Sequence, residues 1–181
     1  MIRPMRHVVL LRGVNLGPRN RVSMPVLRDA LSDAGYGDVA TYVQSGNVVL
    51  SSRASPARVA ETCRSVIAET FDLDIAVVVR TRDELARVVA RDPLGDVVTD
   101  PKRYQVSFLA KELPRAVVER LQAAAVPGER LVASGLELYA WHPAGVARSK
   151  LSAALAGANL GVTATARNWT TVTKLLELAD G

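Results

Sequence analysis

The sequence predicts an α+β protein built from two ferredoxin-like (βαββαβ, α/β-plait) subdomains with antiparallel sheets, plus connecting and C-terminal helices, and three observations lead there. Apolar periodicity over the first eighty or so residues changes in the order β-α-β-β-α-β, the split βαβ plan. The same order returns after a stretch rich in Pro, Gly and Asp at 92–102. Composition agrees: of 181 residues 49% are hydrophobic and 23% charged, the balance of a packed soluble chain and not of a disordered one. No residue-level repeat accompanies the second set, so the duplication rests on element order alone. The division expected is an N-terminal subdomain at 1–81, a helix and linker at 82–103, and a C-terminal subdomain with its terminal helix at 104–181.

Each element has a local reason. Residues 7–11 are apolar and β-branched, a buried strand that ends in the turn-rich segment 13–22. Ser23 caps a helix with Pro25 in its first turn; Leu27, Ala30, Leu31 and Ala34 form the inward stripe, and Gly35 closes it. Strands at 39–43 and 47–50 flank the turn Gln44-Ser45-Gly46. Ser55-Pro56 opens a helix reaching residue 70, followed by a buried strand at 75–79 and a helix at 82–90. The second set reads as strand 104–109, helix 114–124, and strands 130–133 and 136–141 about Ser134-Gly135. A helix or loop at 146–156, a short strand near 162–166 and a helix at 170–178 complete it.

Charge is polarised along the chain. The first acidic residue is Asp29, and Arg3, Arg6, Arg12, Arg19, Arg21 and Arg28 precede or adjoin it. A second acid-free stretch, 138–176, holds Arg148, Lys150, Arg167 and Lys174. These segments sum to +6 and +4 against a total of +5, so the rest of the chain carries −5. Codon usage in a GC-rich genome accounts for 19 of the 23 basic residues being Arg, but not for acids vanishing from two segments. The pattern predicts an anion-binding surface without identifying the anion.

Other classes are argued against. Cys63 is the only cysteine, so no intrachain disulfide forms and a reducing compartment fits; its apolar-periodic setting predicts a buried, inert thiol. No run approaches the ~20 apolar residues of a membrane span, and 7–11 is too short for a signal-peptide core. A cytoplasmic protein with no membrane partner is expected. The only histidines, His7 and His142, have no histidine, cysteine or carboxylate nearby in sequence, so neither a metal site nor a cofactor is expected. No G-x-S-x-G elbow supports a serine hydrolase. The expected central strands 7–11 and 47–50 carry no Phe, Tyr or Trp, which disfavours stacking of RNA bases on that sheet. Oligomeric state is not encoded legibly.

Three polar clusters remain. Arg12-Gly13-Val14-Asn15-Leu16-Gly17 leaves the first strand; it fits neither the dinucleotide fingerprint nor a P-loop, and reads either as a glycine turn or as a donor loop of Arg12 and Asn15. Tyr42-Val43-Gln44-Ser45-Gly46-Asn47 is explained by hairpin chemistry at Ser45, Gly46 and Asn47, while Gln44 suits ligand recognition. The third cluster pairs Arg148-Ser149-Lys150 with Thr165-Ala166-Arg167-Asn168-Trp169-Thr170. There Asn168 or Thr170 caps the last helix, or the helix N-terminus beside Arg167 seats an anion.

Three strings resemble the signatures of domain-of-unknown-function family 1697. They are Leu11-Arg12-Gly13-Val14-Asn15-Leu16-Gly17, Thr41-Tyr42-Val43-Gln44-Ser45-Gly46-Asn47-Val48 and Thr165-Ala166-Arg167-Asn168-Trp169-Thr170-Thr171-Val172. The resemblance covers nearly the whole chain, in order. It implies two ferredoxin-like subdomains and, the family having no established activity, no catalytic residues. Pro18-Arg19-Asn20-Arg21 departs from the Lys-containing loop the family leads one to expect, so a role for that Lys does not carry over.

Three functional readings stand. One is a protein binding a phosphate-bearing ligand, nucleotide or nucleic acid, through Arg12, Asn15, Gln44, Ser45, Asn47, Arg148, Ser149, Lys150, Arg167, Asn168 and Thr170. Another is an enzyme whose Arg12, Arg148 and Arg167 clamp a phosphorylated or carboxylated substrate while Lys150 or Ser149 reacts. The last is a structural or partner-binding module in which the same strings are turns and caps.

Overall fold

Two sets of alternating strands fold as two four-stranded antiparallel sheets in the computed structural model, which describes residues 3–156 and 160–181. Six α-helices lie among the described residues. In chain order the first set is β1 (Met5–Leu11), α1 (Met24–Asp33), β2 (Gly37–Tyr42), β3 (Asn47–Ser52), α2 (Pro56–Phe71), β4 (Val77–Thr81) and α3 (Arg82–Arg91). The second is β5 (Tyr104–Leu109), α4 (Arg115–Ala123), β6 (Arg130–Ser134), β7 (Glu137–Trp141), α5 (Lys150–Leu155), β8 (Ala164–Asn168) and α6 (Trp169–Asp180). Strand orders are β2-β3-β1-β4 and β6-β7-β5-β8, the same plan twice. The fold is therefore a tandem of two ferredoxin-like subdomains.

The chain divides into one unit of Met1–Arg87 with Lys174–Gly181 and another of Val88–Thr173. In the N-terminal unit, Val9, Leu11, Val48 and Leu50 of the central strands pack on Leu27 and Leu31 of α1 and on Val59, Cys63 and Ile67 of α2. Both helices begin at a serine cap followed by proline: Ser23 Oγ accepts from the Val26 N–H at 3.4 Å and Ser55 Oγ from the Arg58 N–H at 3.3 Å. Each such cap contributes about 1 kcal/mol. Burial pushes the Cys63 thiol up to about 12, so it is an inert core group. A capping box starts α3, with Thr81 Oγ1 accepting from the Glu84 N–H at 3.1 Å and Glu84 Oε2 from the Thr81 N–H at 2.8 Å.

In the C-terminal unit, Leu109, Leu138, Ala140 and Ala164 meet Leu121 of α4 and Leu151 of α5. Register puts Tyr104, Val106 and Phe108 of β5 opposite Trp141, Tyr139 and Glu137 of β7, on the other face of the sheet. There Tyr104 stacks on Trp169 with ring centroids 4.7 Å apart, and the Tyr139 hydroxyl donates to the Val88 carbonyl at 2.9 Å.

The expected division 1–81, 82–103 and 104–181 keeps the whole of the last helix with the second subdomain, whereas residues 174–181 group with the first. The Arg6 guanidinium donates to the Leu178 carbonyl at 3.2 Å, and Arg82 pairs with Asp180. β4 and β8 each begin two residues later than expected, because Ile75 and Val162 pack as apolar approaches to the strands. Arg167 and Asn168 are consequently strand residues. No helix among the described residues is long and apolar enough to cross a membrane.

Candidate functional site

Where β1 ends, its continuation is tied to neighbouring elements. The Arg12 N–H donates to the Ala76 carbonyl at 3.0 Å, beside the start of β4. Asn15 adopts a left-handed φ of 56°, which asparagine tolerates better than most residues. Its Nδ2 donates to the Val22 carbonyl at 2.9 Å and the Gln44 carbonyl at 2.7 Å, while its Oδ1 accepts from the Val22 N–H at 2.9 Å. One side chain thus closes the loop on itself and fastens it to the β2–β3 turn. Within that turn Gly46 has φ of 88°, and a Cβ there would stand 2.7 Å from both Leu11 Cβ and Val14 Cγ2. Buried Asn47 donates from Nδ2 to the Tyr42 carbonyl at 3.1 Å and to Ser45 Oγ at 3.0 Å.

Arg12, Asn15, Gln44, Ser45 and Asn47 are therefore brought together at one end of the N-terminal sheet. Asn15 holds the two loops to each other, while Asn47 and Ser45 brace the turn from within. Arg12 is half-buried, and Arg19, Arg21 and Gln44 are exposed. Among the described residues no carboxylate pairs with Arg12, Arg19 or Arg21. Two other arginines of the acid-free opening segment are engaged: Arg6 by the Asp38 and Leu178 carbonyls and Ser51 Oγ, and Arg28 by Asp29 at 3.2 Å. Helix α1 begins two residues beyond Ser23's neighbour Val22 and has no acid in its first turn, so its positive end adds to the same field.

The third expected cluster lies in the C-terminal unit and is split by the sheet. Arg148 and Lys150 are exposed at the start of α5, whose Leu151 joins the helix-side core. Arg167 pairs with Val106 across the strands, on the opposite face. It is buried, donating to Thr165 Oγ1 at 2.7 Å and to the Ala166 carbonyl at 2.9 Å, and desolvation lowers its guanidinium to about 10. Its charge persists at neutral pH, directed into the face and away from solvent. Asn168 Oδ1 accepts from the Thr171 N–H at 2.9 Å, the cap of α6, and Thr170 is exposed in the first turn.

Ser149 is the hub of a buried network that sequence did not reveal. The His142 Nδ1 lies 2.8 Å from Ser149 Oγ, which donates to Glu129 Oε2 at 3.0 Å and accepts from the Ser152 N–H at 2.9 Å. With its own proton on Glu129, the hydroxyl is satisfied by a neutral ring donating from Nδ1. The imidazole is then no base for Ser149, and the arrangement is not that of an activated nucleophile. Burial lowers the His142 pKa, opposed by the charge of Glu129. The expectation that His142 has no carboxylate nearby is corrected here: Glu129 is 13 residues away in sequence, across β6 and β7, beyond the reach of any local spacing.

The central strands of the second sheet do carry aromatics, Tyr104, Phe108, Tyr139 and Trp141, on the face that RNA-recognition modules use. All are at most 6% exposed, so none offers a ring to a base. A cavity of about 360 Å³ in the N-terminal unit, with Arg6, Thr81, Arg82 and Asp180 on its walls, opens at the far end of β1 from Arg12. Among the described residues there is no group of three or more metal-ligating side chains.

A family model described as protein of unknown function (DUF1697) matches residues 5–139, a span holding the Asn15 loop, the Gly46 turn and most of both sheets. The chain belongs to this family. The string from Thr165 to Val172 lies beyond the matched span. The solved structure of the conserved bacterial protein SP0830 from Streptococcus pneumoniae is similar, with a TM-score of 0.79 at 20% identity, covering 97% of this chain and 99% of that one. That likeness concerns the fold. No curated protein matches the chain.

Proposed function

We propose that this protein binds a phosphate-bearing ligand, a nucleotide or a nucleic acid, on the loop end of its N-terminal unit in a cytoplasmic setting. The observation that carries the reading is the set Arg12, Arg19 and Arg21, three cations without a carboxylate partner among the described residues, on a loop fastened by Asn15. Several arginines elsewhere are neutralised by neighbours, as Arg64 is by Asp74 at 2.6 Å and Arg115 by Glu119 at 2.8 Å. Unneutralised guanidiniums beside a helix N-terminus raise the local positive potential and offer the forked donors that phosphate oxygens accept. A loop already fixed loses little conformational freedom when it binds.

Arg148 and Lys150 form a smaller exposed pair of the same kind in the C-terminal unit. Titration with ATP and with a labelled oligonucleotide, at about 50 and 200 mM salt, tests the proposal. Binding that weakens with salt, and that falls roughly tenfold or more in an Arg12→Ala/Arg19→Ala/Arg21→Ala variant, is the expected result. Absence of binding at the lower salt, or binding unchanged in that variant, removes the site.

A further inference from the structure

We infer that the ligand of this loop end is a single-stranded nucleic acid, with its backbone on Arg12, Arg19 and Arg21 and a base face on Leu16 and Val43. The inference rests on the phosphate-ligand reading above and narrows it. Leu16 and Val43 are the most exposed large apolar side chains among the described residues, at 81% and 50%. They adjoin the two residues joined by the loop-to-turn bond, since Leu16 follows Asn15 and Val43 precedes Gln44. An aliphatic pair thus stands in water beside three unpaired arginines.

Val43 is also in an unusual conformation for what it is. Its φ of 49° lies in the left-handed region, where a β-branched side chain is disfavoured and glycine or asparagine fits. Turn chemistry calls for another residue there, and half of the side chain stands in water. Contact with an external apolar surface supplies a reason.

The form of the surface selects among phosphate ligands. Small nucleotides are held in concave pockets, and a cavity of about 360 Å³ in this unit lies at the other end of β1. Exposed cations beside projecting apolar groups suit an extended polyanion whose base faces are free to lie on them, which is an unpaired strand and not a duplex. Arginines track the backbone as in non-specific single-strand binders, while aliphatic Leu16 and Val43 take the place that stacking aromatic rings hold there.

The test uses the full chain and fluorescence anisotropy with a labelled oligothymidylate of about twenty nucleotides, the same strand annealed into duplex, and unlabelled inorganic polyphosphate as competitor. Three phosphate contacts give a log–log salt slope of about −2 for the single strand, so its affinity falls roughly twentyfold between about 50 and 200 mM salt. A Leu16→Ser/Val43→Asn variant is expected to bind the single strand about five- to tenfold more weakly while competition by polyphosphate is unchanged. Leu16 is exposed and asparagine accepts the Val43 conformation, so the variant keeps its fold, which circular dichroism checks. Equal affinity for duplex and single strand, or an unaltered variant, overturns this inference and leaves phosphate binding standing. No salt-dependent binding of any of the three polyanions, together with no binding of ATP, overturns both.

Discussion

Asn15 Nδ2 lies 2.7 Å from the Gln44 carbonyl oxygen, a bond across 29 residues that ties the loop after β1 to the turn after β2. Three side-chain hydrogen bonds and a left-handed backbone converge on Asn15. Replacing it with Gly keeps the conformation and loses the bonds; replacing it with Ala loses both. Destabilisation of about 2 kcal/mol for Asn15→Gly and about 3 kcal/mol for Asn15→Ala is expected, read from denaturant midpoints at constant slope. Equal midpoints for parent and both variants would show that the bonds contribute nothing.

Gly46 and Gly17 make a matched pair. A methyl at Gly46 would collide with Leu11 and Val14 and strain a positive φ, whereas nothing stands within 4 Å of one at Gly17. Gly46→Ala is expected to cost roughly 2–4 kcal/mol, and Gly17→Ala less than about 0.5 kcal/mol. Thermal unfolding of the two variants side by side decides the point, and similar melting temperatures would contradict it.

Val43→Asn relieves a disfavoured backbone conformation at an exposed site, so it is expected to stabilise the chain by about 1 kcal/mol. A higher midpoint in urea is the readout; a lower one would mean that Val43 makes contacts worth more than its strain.

Stability is expected to fall on acidification. His7 and His142 are fully buried, each Nε2 lacks a hydrogen-bond partner, and burial lowers both pKa values from 6.5 although Glu84 and Glu129 pull the other way. The unfolded chain binds these protons more readily than the folded one, so the stabilisation is complete above pH 6.5 and declines as pH drops through and below it. Melting temperature should therefore be lower at about pH 5 than at about pH 7.5, and the difference should shrink in His142→Gln. A difference undiminished by that substitution would exclude His142 as a source.

Ser149→Ala leaves the Glu129 carboxylate and the His142 Nδ1 without their shared partner and uncaps α5. A loss of about 2–3 kcal/mol is expected, with Ser149→Thr recovering part of it. Calorimetry on both variants measures the split.

Much of this fold was legible because its signals are local. The Ser-x-Pro and Ser-Pro helix starts at Ser23 and Ser55, the apolar runs of β3 and β7 and the turn at Gly46 each lie within a few residues, and element order then implied the tandem sheets. The capping box of Thr81 and Glu84 lies in the string Thr81-Arg82-Asp83-Glu84 and emerges only in the structure. What sequence could not reach was long-range. Ser149 looked like a loop donor beside two cations, and only tertiary packing brings Glu129 and His142 to it. Arg167 looked like the mouth of a helix N-terminus, and a strand two residues longer at its end turned it into the sheet face. Asn15 stood out as a donor, and its donors face inward to Val22 and Gln44.

Arg6 and the Leu178 carbonyl are 172 positions apart, yet they bond within one unit. During synthesis on the ribosome, the first sheet can pair its strands early, but residues 174–180, which belong to that unit, follow the second sheet. Completion of the N-terminal unit is thereby deferred until translation has passed residues 174–180, and a nascent chain halted after the second sheet would leave Arg6 with only Asp38 and Ser51 and Arg82 with only Asp83.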